Sequence, residues 1–329
     1  MIGEHACTPD CAFALGSIGE HARAGRKQSS PTLTRLSLSA PISYHSAKTS
    51  SIIRGAMSAR LCIRQLFDRA SCTFTYIVVD PVSMEAAIID PVISCVDRDI
   101  EALEGLGVTK LRWMLNTHVH ADHVTGTARL RSRPAFSSAQ SVLSAASGAV
   151  ADRVVEPGEK IELGSRHLVV AATPGHTPGC VTFVADDLSA AFTGDALMIR
   201  GCGRTDFQGG DAAQLYDSVW REIFSLPPST DVWTGHDYAG RLATTVAEEM
   251  KHNPRLTKTK DEFVALMHER FDGSTYPGKI DEALPANMVC GVYEAKEDGS
   301  PCWDPATGTP VAHPGGFVWT PRDAAADAK

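Results

Sequence analysis

The sequence predicts a mixed, β-rich α/β sandwich, and three observations predict it. Short runs of strand length recur between residues 61 and 255, turn residues and stretches of helical spacing separate them, and no segment repeats. With 43% hydrophobic and 21% charged residues among 329, the chain also carries enough apolar material for the core such a sandwich needs.

The elements follow in order. An apolar run at 61–67, the alternating Thr73-Phe-Thr-Tyr-Ile-Val-Val79 and Glu85-Ala-Ala-Ile-Ile-Asp90 read as three successive antiparallel strands. Asp80-Pro81 and Asp90-Pro91 mark the turns. Ile100, Leu103 and Leu106 lie at helical spacing, which predicts a helix over 96–106 that Gly107 ends. Leu111 to Leu115 is a buried strand. Further strands are expected at 167–173, 180–185, 189–193 and 231–234, and helices at 211–224, 241–251 and 259–270.

The two ends differ from this pattern. Residues 1–58 are rich in Ser, Ala and Thr, and no acidic residue occurs from His21 through Phe67, while Arg23, Arg26, Lys27, Arg35, Lys48 and Arg54 are spaced along the stretch. That composition fits an organelle transit peptide; a disordered extension, or upstream sequence if Met57 is the start, fits it as well. Residues 59–294 are then the catalytic domain, and 295–329 read as a loosely ordered tail.

Composition also excludes classes of function. A formal net charge of -8 argues against a nucleic-acid binder, which needs an excess of Lys and Arg on one face. No stretch of about 18 apolar residues exists, so no membrane span is expected. Nine scattered cysteines without a CxxC pair, in a chain too long to need disulfide staples, read as reduced thiols.

The chemistry sits after the strand at 111–115. His118-Val-His-Ala-Asp-His123 sets three imidazoles and a carboxylate in a span too short for helical ligand spacing, whereas an extended turn can aim His118 and His120 at one point and Asp122 and His123 at another. One or two metal positions follow. His176 in Pro174-Gly-His-Thr-Pro-Gly179, Asp195 in Phe192-Thr-Gly-Asp195 and His236 in Trp233-Thr-Gly-His236 each follow a strand-like run beside glycine. Taken singly, each is an ordinary loop or turn residue. Their joint occurrence is what points to a metal centre.

This joint pattern resembles the metallo-β-lactamase superfamily over about residues 61–255, and more closely its persulfide dioxygenase family. Asn116-Thr-His-Val-His-Ala-Asp-His-Val-Thr-Gly126, Pro174-Gly-His-Thr-Pro-Gly179, Ala191-Phe-Thr-Gly-Asp195, Ile199-Arg-Gly-Cys-Gly-Arg-Thr-Asp-Phe207, Gly235-His-Asp-Tyr238, Asn253-Pro-Arg-Leu256 and Pro285-Ala-Asn-Met288 carry the resemblance. It implies an αββα fold, two mixed β-sheets flanked by helices. It also implies one Fe(2+) per chain on His118, His176 and Asp195, with His120, Asp122, His123 and His236 around it in catalytic or orienting roles. The implied reaction is oxidation of glutathione persulfide by O2 and water to sulfite and glutathione. Location would be the mitochondrial matrix in a eukaryote and the cytoplasm otherwise; a homodimer stays open.

The ligand set alone permits two outcomes. Two metals bridged by Asp195 would activate water for hydrolysis, as in the glyoxalase II type hydroxyacylglutathione hydrolases the chain also resembles. Two histidines and one carboxylate alone make the facial triad of non-haem Fe(II). Against the hydrolase, only one clear helix is expected between residue 250 and Pro285, where that family would carry a separate helical domain. For the substrate's carboxylates the candidates are Arg204 first, then Tyr238 and Arg255, with an ion pair from Arg204 to Asp206 or Asp211 as the structural alternative. Cys202 has no dedicated base in the sequence and reads as pocket lining rather than a nucleophile.

Overall fold

The structure is a computed structural model and describes residues 60–291. The readings for the N-terminal extension and for the tail lie outside those residues. Two six-stranded sheets pack face to face. The first runs in sequence order, β1 (Cys62–Asp68), β2 (Thr73–Val79), β3 (Glu85–Ile89), β4 (Lys110–Leu115), β5 (Gln140–Ser144) and β6 (Arg153–Val155). As expected, β1 to β3 are antiparallel, with Tyr76 opposite Ile89. Helix α1 (Val96–Gly105), the short α2 (Thr127–Arg131) and a turn over Ala145–Ser147 make the successive crossovers, so β3, β4, β5 and β6 pair in parallel.

The second sheet holds β7 (Lys160–Leu163), β8 (Arg166–Ala172), β9 (Val181–Ala185), β10 (Ala190–Gly194), β11 (Asp231–Thr234) and the two-residue β12 (Thr244–Thr245), again with neighbours in chain order. Only the β10–β11 step is parallel; α3 (Ala212–Ser218), prolonged by a π-turn over Val219–Ile223, makes that crossover. Helices α4 (Val246–His252), α5 (Lys260–Arg270) and α6 (Ile280–Asn287) complete the described chain.

Alternation along β2 explains the layering. Phe74, Tyr76 and Val78 face the second sheet, where Leu168, Val170, Phe183 and Phe192 meet them, while Ile77 and Val79 face outward onto Leu103 of α1, Leu111 and Met114. Both faces of β2 are therefore covered. Behind the second sheet, Leu197, Leu215, Val219, Val232, Phe263 and Met267 form the matching layer under α3 and α5. The result is the αββα sandwich that the sequence implied.

Three local expectations change. The helix expected from 241 begins at Val246, because Thr244–Thr245 first pairs with Asp231–Val232 and the Thr245 hydroxyl then accepts from the Glu248 amide as an N-cap. Strands β5, β6 and β7 and helix α2 went unread, since three to five residues give too little periodicity to register. Helix α6 runs through Pro285, beyond the helix expected after residue 250. Within 60–291 no helix is long and apolar enough to cross a membrane.

Candidate metal centre and substrate cavity

The site gathers where strands of both sheets end. From the first sheet, the loop after β4 brings His118, His120, Asp122 and His123. Asp90, one residue past β3, anchors its start: it accepts from the Thr117 amide at 2.7 Å, from the Thr117 hydroxyl at 2.8 Å, and contacts His120 Nε2 at 2.9 Å. Because the Thr117 proton goes to Asp90, the same hydroxyl oxygen accepts from His118 Nδ1 at 3.0 Å. His118 thus keeps its Nε2 lone pair for a ligand.

From the second sheet come His176 after β8, Asp195 after β10 and His236 after β11. His176 Nδ1 donates to the Arg204 carbonyl at 2.6 Å, which again leaves Nε2 free, 3.6 Å from Asp195 Oδ2. The close approach of the strand ends requires glycine. At Gly194, with φ of 50°, a Cβ would lie 2.5 Å from Thr117 Oγ1, and at Gly235 one would lie 2.5 Å from Asp195 Oδ1.

Two groups of donors result, each with ligand atoms within 4.8 Å of one another: His118, His176 and Asp195, and His120, Asp122 and His123. His236 joins them, its Nδ1 donating to the Cys72 carbonyl at 3.2 Å and its Nε2 standing 3.6 Å from both Asp195 and Asp122. Asp195 Oδ1, His120 Nδ1 and His123 Nε2 are buried with no hydrogen-bond partner among the described residues. Buried acceptors that point together without a donor fit a cation. Electrostatics agree. Burial, with His120 and His176 beside it, holds His118 well below the usual histidine range, so it stays a neutral ligand. Burial works against the charge on Asp122, yet His123 and His236 nearby hold its carboxyl well below the usual range.

A cavity of about 440 Å³ opens onto this centre, with His176, Asp195, His236, Cys202, Arg204 and Tyr238 in its wall. Tyr238 is 72% exposed and stacks on the His236 ring at 5.9 Å. Cys202 is buried, with burial pushing its thiol up despite Arg255, so it has no thiolate character. Arg204 makes the ion pair expected as its structural alternative. Its Nε and Nη2 each donate 2.7 Å to Asp206, Nη2 also reaches the Thr275 carbonyl, and the guanidinium lies 4.4 Å over Phe207. The bidentate edge expected for substrate is occupied. Arg255 donates to the Cys202 carbonyl at 2.8 Å.

Three residues with a part in the site escaped the sequence reading. Arg270 lines the cavity and has no carboxylate partner among the described residues, but it was read only as the end of a helix. Asp90 looked like half of an Asp-Pro turn, and Asn287 like part of a motif without a role. Only the non-local pairings disclose them.

Residues 73–236 match the metallo-β-lactamase superfamily. The chain is 50% identical to human "Persulfide dioxygenase ETHE1, mitochondrial" over 239 residues, covering 73% of this chain and 92% of that protein. The crystal structure of ETHE1 from Myxococcus xanthus superposes with a TM-score of 0.66 at 43% identity, over 70% of this chain and all of that one. Glyoxylase B2 of Dictyostelium discoideum is 26% identical over 279 residues, 74% of this chain and 95% of that protein.

Proposed function

The chain belongs to the metallo-β-lactamase superfamily and, within it, to the persulfide dioxygenases, and on that premise we propose that it oxidises glutathione persulfide at a single ferrous ion held by His118, His176 and Asp195. The substrate class follows from the relatives, which are persulfide dioxygenases. The balance is one persulfide, one O2 and one water giving one glutathione and one sulfite with two protons. The observation that carries the metal assignment is the trio itself, two imidazoles and a carboxylate of which His176 and Asp195 line an open cavity, the set that suits non-haem Fe(II). Ferrous iron there would supply the redox chemistry with O2 that no side chain provides.

The chain's own groups do the rest. The Thr117 hydroxyl and the Arg204 carbonyl fix the two imidazoles with Nε2 turned inward, so no reorientation is needed when the ion binds. His120 Nε2 donates to the Asp90 carboxylate at 2.9 Å, which fixes its ring and leaves Nδ1 as the free nitrogen. His236, at the cavity edge, donates Nδ1 to the Cys72 carbonyl and holds Nε2 3.6 Å from Asp195 and Asp122. Arg255 and Arg270 offer positive charge for glutathione's two carboxylates, and Tyr238, stacked on His236, lines the same cavity. Arg204 instead shapes the wall through Asp206.

Anaerobically loaded Fe(II) enzyme given glutathione persulfide should consume O2 and release sulfite, with about one iron per chain. Two zinc ions per chain, hydrolysis of S-lactoylglutathione and no oxygen uptake would refute it. That second reading is favoured by one observation, the unpartnered His120 Nδ1 and His123 Nε2 in the second donor group. The 26% identity to a glyoxylase, beside 50% to the persulfide dioxygenase, ranks it behind. The relatives from human, mouse and cattle are mitochondrial by name, and for a eukaryotic source we infer the matrix; sequencing the N-terminus of the mature protein tests this.

A further inference from the structure

The loop from Asn116 to Gly126 is buried yet belongs to neither sheet nor helix, so its backbone polar groups need partners from elsewhere. One side chain supplies three of them. Asn287, in the last turn of α6 and itself 3% exposed, donates through Nδ2 at 2.8 Å to the carbonyls of both His120 and His123, and its Oδ1 accepts from the Thr125 amide at 2.8 Å. Only a primary amide can do this: a carboxylate lacks both donors and a hydroxyl lacks the reach.

The rest of α6 is shaped to the same loop. Ile280 and Leu284 share a cluster with Val119, and Ala283 and Ala286 one with Val124, so this helix contributes to both apolar clusters under the loop. Past the helix, Gly291 sits at φ of 71°, where a Cβ would come within 2.6 Å of the Thr125 carbonyl. Its amide donates back to the Ala286 carbonyl at 2.7 Å, closing the helix end against the loop. Pro285 removes one amide from the helix, and the bond from Met288 to Leu284 at 2.9 Å resumes the ladder next to Asn287.

We propose that Asn287 is a positioning residue for the metal centre and that α6 is a clamp whose docking and metal binding stabilise each other. The proposal rests on assigning the His118–His123 loop to that centre. Holding the carbonyls of His120 and His123 holds the loop on which the proposed iron ligand His118 stands, two residues before His120 and more than 160 residues away in sequence. Deleting a side chain such as that of His123 leaves these backbone bonds in place. Coupling of this kind is reciprocal: whatever loosens α6 must weaken the metal, and the metal must tighten α6.

The test uses the full chain loaded anaerobically with ferrous iron, following iron release to bipyridine and amide hydrogen exchange. Asn287→Asp, isosteric but without the donors, should release iron roughly 10- to 100-fold faster, lose protection over 119–126, and lower kcat with KM little changed. Leu103→Ala in the distant α1 core, compared at a matched loss of melting temperature, should release iron at the wild-type rate. Equal release by wild type and Asn287→Asp overturns the proposal alone, as does equal acceleration by Leu103→Ala. A wild-type chain that binds no iron overturns the centre and the proposal together. If Asn287→Asp does not fold, the wild type decides: iron must slow exchange across 280–291, and no change there overturns the clamp.

Discussion

His176 Nδ1 and the carbonyl oxygen of Arg204 lie 2.6 Å apart, so one imidazole of the metal centre takes its orientation from the backbone of the Gly-Cys-Gly-Arg segment rather than from an acidic side chain. The neighbouring Gly203 has to be glycine for this to work, because a Cβ there would meet His176 Cγ at 2.8 Å and the Asp195 carbonyl at 2.7 Å. Gly203→Ala should therefore push His176 off the centre. The expected outcome is reduced iron content and a kcat lowered roughly 10-fold, as for loss of an outer support, with a lowered melting temperature of the metal-free protein because the Asp195 backbone must also give way. Metal analysis beside thermal melts checks it.

Removing the donors themselves is more severe. His176→Ala and Asp195→Ala each delete one of three groups whose ligand atoms lie within 4.8 Å, and two donors do not hold ferrous iron against a chelator. Iron per chain should fall close to zero in both. His123→Ala, in the second donor group, should weaken turnover while most iron stays. Iron content unchanged in the first pair would show that the ion sits elsewhere.

Much of this was legible in the sequence, for reasons particular residues make clear. Strands β2, β3 and β4 are apolar runs closed by Asp-Pro or by the His-rich loop, and the helices expected from 211 and 259 begin there, capped by Asp211 and Thr259. The start of α4 lies later than expected because Thr244–Thr245 first pairs with β11. The donors at 118, 120, 122, 123, 176, 195 and 236 betray themselves by chemistry and by the glycines beside them. What stayed hidden is pairing between distant residues. The sequence offered Asp206 only as one alternative partner for Arg204, and nothing local says that Arg270 has no carboxylate or that Asn287 reaches back to His120. Likewise, β6 with three residues and β12 with two exist only because a neighbouring strand supplies the ladder.

The arginines of the cavity separate by their partners, which gives a prediction about substrate. Arg200 is bound to Glu248 and Glu249, Arg204 to Asp206 and Arg241 to Asp237. Arg255 has no carboxylate but is held by the Cys202 carbonyl, whereas Arg270 has no hydrogen-bond partner among the described residues and lies 5.6 Å over the Phe271 ring. A guanidinium without a hydrogen-bond partner is the one that gains most from a substrate carboxylate, worth about a 10-fold change in binding for one charged hydrogen bond. Arg270→Ala should raise KM for glutathione persulfide by roughly that factor at unchanged kcat and iron content. Arg204→Ala should keep its iron, raise KM less, and lower the melting temperature, since it strips Asp206 of its partner. Steady-state kinetics on the pair decides between them.

Tyr76 joins the two sheets beside the centre. Its hydroxyl, buried between them, donates to the Thr234 carbonyl at 2.6 Å, two residues before His236, and accepts from Gln65 at 3.2 Å. Tyr76→Phe leaves that carbonyl buried without its donor, a loss of about 1–3 kcal/mol. Packing against Phe192 and Trp233 is retained. Chemical denaturation should show the loss with an unchanged m-value, and a variant as stable as wild type would mean that Thr234 finds another donor.

Asp99 supplies the pH dependence. Its side chain is fully buried in α1 and one oxygen, Oδ2, has no partner among the described residues; Oδ1 accepts from Arg98 at 2.9 and 2.7 Å. Burial pushes its carboxyl up to about 6, against the pull of Arg98. A carboxyl raised on folding binds its proton more tightly in the folded state, so ionising it costs stability. That cost is absent below pH 4, grows as pH rises from 4 to 6, and is complete above, where a shift of this size corresponds to about 3 kcal/mol. Asn in its place keeps an acceptor for Arg98 and carries no charge. Asp99→Asn should therefore match wild type at pH 4 and exceed it at pH 7.5, and melting curves that differ by the same amount at both pH values would show that the gain comes from packing instead.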